Sequence, residues 1–275
     1  TGDYFIYITD DDYWPNKNFI KKSVEILDNN KNVSSVVGSQ LSEFFEDEKD
    51  LKYLNLENIN KIISKDNHSE KYYYFKDLFK TGYYSGFDFL DKFSKNATSY
   101  NISITATLKR KIHCLNSKYL IAKNPSKWQG GYEFHIVPTL KYDMYFINEP
   151  CVVARIHKNN ASFRFTQFDH YMDSIQSISN AFENINQLEI ENKNLKKLNY
   201  FKKEFLRSLS IAYIYNTFSI LRGNQLSLTS KENNQRYVTV LDILKIYFKN
   251  RIFVNIKELS LALTYFGLRL FKSYL

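Results

Sequence analysis

The first forty residues constrain the fold more tightly than any other stretch. Tyr4 to Ile8 ("YFIYI") is a short, continuous apolar run rich in β-formers, as expected of a strand buried on both faces. Pro15 and Asn16 then open an amphipathic helix, with Phe19, Ile20, Val24 and Leu27 along one side and "DNNKN" at its end. "VSSVVGS" supplies the next strand. Strand, helix and strand in such close succession form a βαβ-type unit. That implies an α/β fold with a parallel or mixed sheet.

Residues 42 to about 100 read as an insertion, opening acidic with "SEFFEDEKD" and carrying the aromatic cluster "KYYYF" at Lys71 to Phe75. "ISITATLKR", Ile102 to Arg110, alternates apolar and small polar residues as a half-buried strand does. The pair Gly130–Gly131 precedes a predicted helix, "YEFHIVPTLK", and "MYFINEPCVVARIH" reads as two β-rich runs broken at Glu149–Pro150. From about Phe168 the pattern is helical only. Ile175, Ile178, Phe182, Ile185 and Leu188 recur at three- and four-residue spacing, and further helical runs cover Leu198–Leu221, Val238–Phe248 and Ile256–Leu275. The expected division is an α/β part over 1–165 and an all-α helical appendage over 166–275.

Behind the first strand stand three consecutive carboxylates, Asp10, Asp11 and Asp12. The C-terminal end of a sheet strand is where open α/β sheets bind ligands. Carboxylates from one turn, completed by substrate phosphates, hold Mg²⁺ or Mn²⁺ in many sites. The plainer account is a solvated, helix-capping turn ahead of Pro15. One aspartate would serve that purpose, whereas three adjacent like charges repel until a cation neutralises them. An EF-hand is excluded, because its fifth, sixth and twelfth positions would be Trp14, Pro15 and Lys21.

Charge bears on the same question. The 38 Lys and Arg outnumber 29 Asp and Glu, giving +9, a balance that favours nucleic acid, anionic lipid head groups or nucleotide diphosphates. Cys114 and Cys151 are isolated, so neither a disulfide framework nor a zinc site is indicated, which suits a reducing cytoplasm. No apolar run is long enough to span a bilayer. Ser208 to Leu221, flanked by Arg207 and Arg222, is too short. Arg155 and His157, two apart in a predicted strand, share a face. With Lys158 they form a basic edge suited to a diphosphate or, through His157, to a third metal ligand; a surface-exposed strand end is the alternative.

"YFIYITDDDYWPNKNFIKKSVEILDNN" resembles the metal-binding strand and following helix of family 2 glycosyltransferases of the GT-A fold. "SITATLKRKI" is similar to the family's acceptor-side strand. "WQGGYEFHIVPTLKYDMYFINEPCVVARIHKNNASF" resembles its base-bearing helix, strand pair and terminal basic segment. The resemblance covers residues 1 to about 165. It implies the C-terminal part of a GT-A domain, with a Rossmann-like mixed sheet, that binds a nucleotide-sugar donor over Mn²⁺ or Mg²⁺. Asp10 and Asp12 would form the Asp-x-Asp pair, with Asp11 the alternative direct ligand. Glu133, in the place of the family's acidic pair, would be the catalytic base that deprotonates the acceptor hydroxyl. His135 is the alternative base, and a helix-dipole partner is the plainer role for Glu133.

The expected activity is therefore inverting transfer of a sugar to a glycan or lipid-linked acceptor in bacterial surface polysaccharide synthesis. The expected place is the cytoplasm, or the inner face of the plasma membrane. There the amphipathic "NIKELSLALTYFGLRLFKSYL" would lie on an anionic membrane. Two rival readings are a metal-dependent phosphoryl-transfer enzyme or nuclease, and a basic nucleic-acid-binding protein. The first needs a second carboxylate group, and the acidic run 43–50 reads as a solvated insertion. The second needs aromatics interleaved with Lys and Arg, whereas the 44 Tyr and Phe fall mostly at apolar periodic positions, so no nucleic-acid partner is expected. A chain that starts inside an apolar strand also reads as truncated. The resemblance then implies that preceding βα units complete the nucleotide pocket, and that this piece alone would be inactive and prone to aggregate.

Overall fold

The computed structural model describes residues 2–9, 11–44, 54–65, 72–74, 79–96, 104–117, 130–157, 167–183 and 192–221. In chain order the first elements are β1 (Tyr4–Phe5), β2 (Asp12–Tyr13), α1 (Phe19–Asn29), β3 (Val33–Phe44), α2 (Leu56–Lys65), β4 (Tyr72–Tyr74) and β5 (Gly82–Tyr84). Next come α3 (Gly86–Lys95), β6 (Thr107–Arg110), α4 (Lys111–Asn116), α5 (Gly130–Thr139), β7 (Asp143–Ile156), α6 (Gln167–Glu183) and α7 (Asn192–Leu221). Asp10, Lys71, Trp128, Lys158 and everything after Leu221 lie outside the described residues. The two last helical runs and the amphipathic C-terminal segment are therefore among the undescribed parts.

Two long parallel strands, β3 and β7, form the spine of a mixed sheet ordered β1-β6-β3-β7-β2. Each changes its outer neighbour along its length. Towards their N-terminal ends β3 pairs with β6 and β7 with β5; towards their C-terminal ends β3 pairs with β4 and β7 with β2. The changeover coincides with register shifts, where the partners pass from Gly38–Ile147 to Ser39–Pro150. Asn148 and Glu149 are thus the extra residues of a bulge, which accommodates Pro150 inside a strand. The two runs expected over 143–156 are accordingly one strand. Gly38 sits at the bend because a Cβ there would lie 2.5 Å from the Cys151 Cβ.

Helices cover both faces. On one, Phe19 and Leu27 of α1 pack with Val33, Val36, Ala106, Leu108, Ile147 and Val152. On the other, α3, α5, α6 and α7 build a larger core that includes Phe89, Leu90, Phe93, Ile136, Val137, Ile178, Phe182, Phe201 and Phe205. Helices α6 and α7 thus share their core with α3 and α5. Described parts of the segment expected to be an insertion are woven in as well. Ser42 to Phe44 finish β3, β5 pairs with β7, and α3 supplies core phenylalanines. Glu43, read from the sequence as the start of a solvated run, is only 1% exposed, because β3 continues through it.

Arg110 ties α1 to the sheet. Its guanidinium donates to the carbonyls of Leu27 and Asn30 at the C-terminal end of α1, where a cation is favoured, and to that of Val33 at the start of β3. The strand expected over Tyr4–Ile8 pairs only at Tyr4 and Phe5, with β6. Beyond it the chain leaves the ladder, and Tyr7 and Ile8 are 44% and 67% exposed rather than buried.

Candidate functional site

The acidic turn is placed by β2. Pairing Asp12 with Ala154 lays the residues after the first strand against the end of β7, although 142 positions separate the two. Arg155 Nε donates to the Asp11 carbonyl at 2.6 Å, and His157 Nε2 lies 3.1 Å from Asp11 Oδ1. His157 is nearly buried, at 11% side-chain exposure, while Asp11 keeps 38%. Four of the expected site residues, Asp11, Asp12, Arg155 and His157, therefore converge.

Asp12 is held from the other side. Thr105 donates to Asp12 Oδ2 at 2.8 Å, the Thr9 hydroxyl lies 3.5 Å from that of Thr105, and the Asp12 N–H donates to the Thr9 carbonyl. Trp14 Nε1 fixes the Thr105 backbone through its carbonyl at 2.9 Å. Burial pushes the Asp12 carboxyl above its ordinary value, and the Asp11 charge adds to this; the hydrogen bonds from Thr105 and Thr9 and the charge of Arg155 oppose it. A half-buried carboxylate next to a second one is the electrostatic setting that a bound cation relieves.

The carboxylate oxygens of Asp11 and Asp12 are the kind of donor that Mn²⁺ or Mg²⁺ takes, while Asp11 Oδ1 and His157 Nε2, 3.1 Å apart, are hydrogen-bonded to each other. Among the described residues no group of three or more His, Cys, Asp and Glu side chains is assembled around one ion position, and Asp10 lies outside them.

Helix α5 carries the other expected pair. Glu133 is 5% exposed, and His135 is 1% exposed. The Glu133 Oε1 accepts from Asn180 Nδ2 at 3.0 Å, and its N–H donates to Ser177 Oγ at 3.2 Å, so it is gripped by α6. Phe134, between them, turns the other way, with its ring 5.3 Å from Tyr7 and 6.3 Å from Phe5. The first turn of α5 thus touches the segment leading to the aspartates through Phe134, while Glu133 faces the helical region.

A buried amine lies under the same turn. Lys109 is wholly buried and donates to Ser35 Oγ at 3.2 Å and to the carbonyl of Phe134, whose ring lies 4.0 Å away. Pro138 sits inside α5 four residues after Phe134 and has no N–H to offer that carbonyl. Lys109 supplies the missing donor. Burial lowers its pKa to about 8.

Sequence reading missed Thr9, Thr105, Ser177 and Asn180. Thr105 was visible only as a small polar residue in an alternating strand. Ser177 and Asn180 break an apolar helical stripe, a weak signal without knowledge of what they face. His113, to which no role was given, stacks on Tyr142 at 3.7 Å, and burial holds it at about 4, neutral in ordinary conditions. No protein-family profile matches the chain, and no curated protein matches it. No helix among the described residues is long and apolar enough to cross a membrane.

Proposed function

We propose that the chain is a metal-dependent glycosyltransferase of the GT-A type. It moves a sugar, with inversion, from a nucleotide-diphosphate donor to a glycan or lipid-linked acceptor in bacterial surface polysaccharide synthesis. One observation carries the reading: the carboxylate turn and the basic strand end, remote in sequence, meet at the 3.1 Å Asp11–His157 contact. A mixed sheet covered by helices on both faces is compatible with it.

In this reading Asp11 and His157 hold the ion, with Asp12 kept in position by Thr105 and Asp10 as a further donor. Mn²⁺ or Mg²⁺ bound there would offset charge on the departing nucleoside diphosphate. Arg155, anchored on the Asp11 carbonyl, and Lys158 add positive charge for the diphosphate. Glu133, whose carboxylate faces α6 and not the acidic turn, is the base that the resemblance assigns to the acceptor hydroxyl as it attacks the anomeric carbon. The protein works in the cytoplasm or on the inner face of the plasma membrane.

The test is a hydrolysis and transfer screen of sugar nucleotides on the full-length protein, with Mn²⁺ and with EDTA. At least one nucleotide sugar should be consumed only with metal, and Asp11→Ala or His157→Ala should lower apparent Mn²⁺ affinity by about tenfold or more. Full activity in EDTA, or unaltered metal dependence in both variants, would sink the reading.

A further inference from the structure

We infer that helix α6 belongs to the active site, and that Asn180 is a positioning residue which orients the Glu133 carboxylate. The inference rests on the glycosyltransferase reading and deepens it. The chain reads as two parts, yet Ser177 and Asn180, which bond to the candidate base, come from the second. Ser177 and Asn180 are three apart on α6 and so share a face. They are 0% and 7% exposed, in a core otherwise built from Ile136, Val137, Ile178, Ala181 and Phe182. Apolar side chains would fill such an interface at less cost than a buried carboxylate with its donors.

The geometry fixes more than burial. The Glu133 carboxylate only accepts, so its Oε1 takes the Nδ2 end of the Asn180 amide at 3.0 Å and leaves Asn180 Oδ1 to accept from Gln176 Nε2 at 2.7 Å. Ser177 Oγ accepts from the N–H of Glu133, one of the first-turn donors of α5 that lack a partner within the helix. Glu133 is therefore held at both its backbone and its carboxylate by one face of α6. A base oriented by a third group is the arrangement that general-base chemistry uses to keep its lone pair aimed. Gln176 is exposed and reaches Glu133 only through Asn180, so the three residues form a relay running Gln176, Asn180, Glu133.

The relay is testable by non-additivity in the full-length protein. Asn180→Ala should lower kcat by about tenfold or more, leave donor KM unchanged, and add less than about twofold in a Glu133→Gln background. The surface change Gln176→Ala, which threatens the fold least, should lower kcat by about threefold and do nothing once Asn180 is Ala. If the unsubstituted protein turns over no nucleotide sugar, the glycosyltransferase reading falls and this role with it. If it turns over substrate but Gln176→Ala is silent, or Asn180→Ala costs the same with and without Glu133, the role of α6 alone is overturned.

Discussion

Lys109→Met tests why a charged amine is tolerated in the core beneath α5. Burial lowers Lys109 from the ordinary 10.5 to about 8, which corresponds to about 3 kcal/mol against the charged form. Between pH 8 and 10.5 the unfolded chain keeps a proton at this site that the folded chain has released. Stability therefore rises with pH across that window, by about 3 kcal/mol from this group, and the cost is present in full below pH 8. Methionine removes the cost but also removes the donor to the Phe134 carbonyl, which Pro138 cannot serve, at a loss of about 1–3 kcal/mol. The two effects nearly cancel at neutral pH. The pH dependence is what distinguishes them. Urea unfolding followed by circular dichroism from pH 7 to 10.5 should show the wild type gaining about 3 kcal/mol over the variant. Pro138→Ala, which restores an N–H opposite the Phe134 carbonyl, should help Lys109→Met by about 1–3 kcal/mol more than it helps the wild type. Parallel pH curves, or an additive double-mutant cycle, would refute the reasoning.

Two further predictions follow from the same structure. The Asp12 carboxyl is raised, so its ionisation weakens the native state at neutral pH, a penalty that lapses as pH falls through its raised folded value and is gone below its unfolded value of 3.8. Asp12→Asn should therefore raise the midpoint of thermal unfolding in metal-free buffer at pH 7 while lowering Mn²⁺ affinity about tenfold by calorimetry; a destabilised variant with intact affinity would contradict both halves. Gly86→Ala would set a Cβ 2.0 Å from the Thr139 carbonyl oxygen and 2.7 Å from that of Tyr142. The backbone of α3 and the end of α5 must separate to admit it, at about 2 kcal/mol or more, and a denaturation midpoint equal to the wild type would show that the approach is looser.

The sequence by itself determined the elements whose signal is local. The 3.6-residue apolar period marks α1 and α6, and the β-rich run marks the start of β3, since each depends on neighbours within a few residues. The aspartate turn and the basic strand end were legible as separate features for the same reason. Only the tertiary structure decided what meets. That β7 is one strand follows from a bulge opposite Gly38, where Pro150 is tolerated because Asn148 and Glu149 take up the slack. That Glu43 is buried follows from β3 running on between two neighbours. The pairing of Asp12 with Ala154 brings Asp11 to His157, and the packing of α6 on α5 brings Asn180 to Glu133. These contacts join residues 47 to 146 positions apart. A periodic pattern states which face of an element is apolar, but the partner that covers that face is chosen by the rest of the chain.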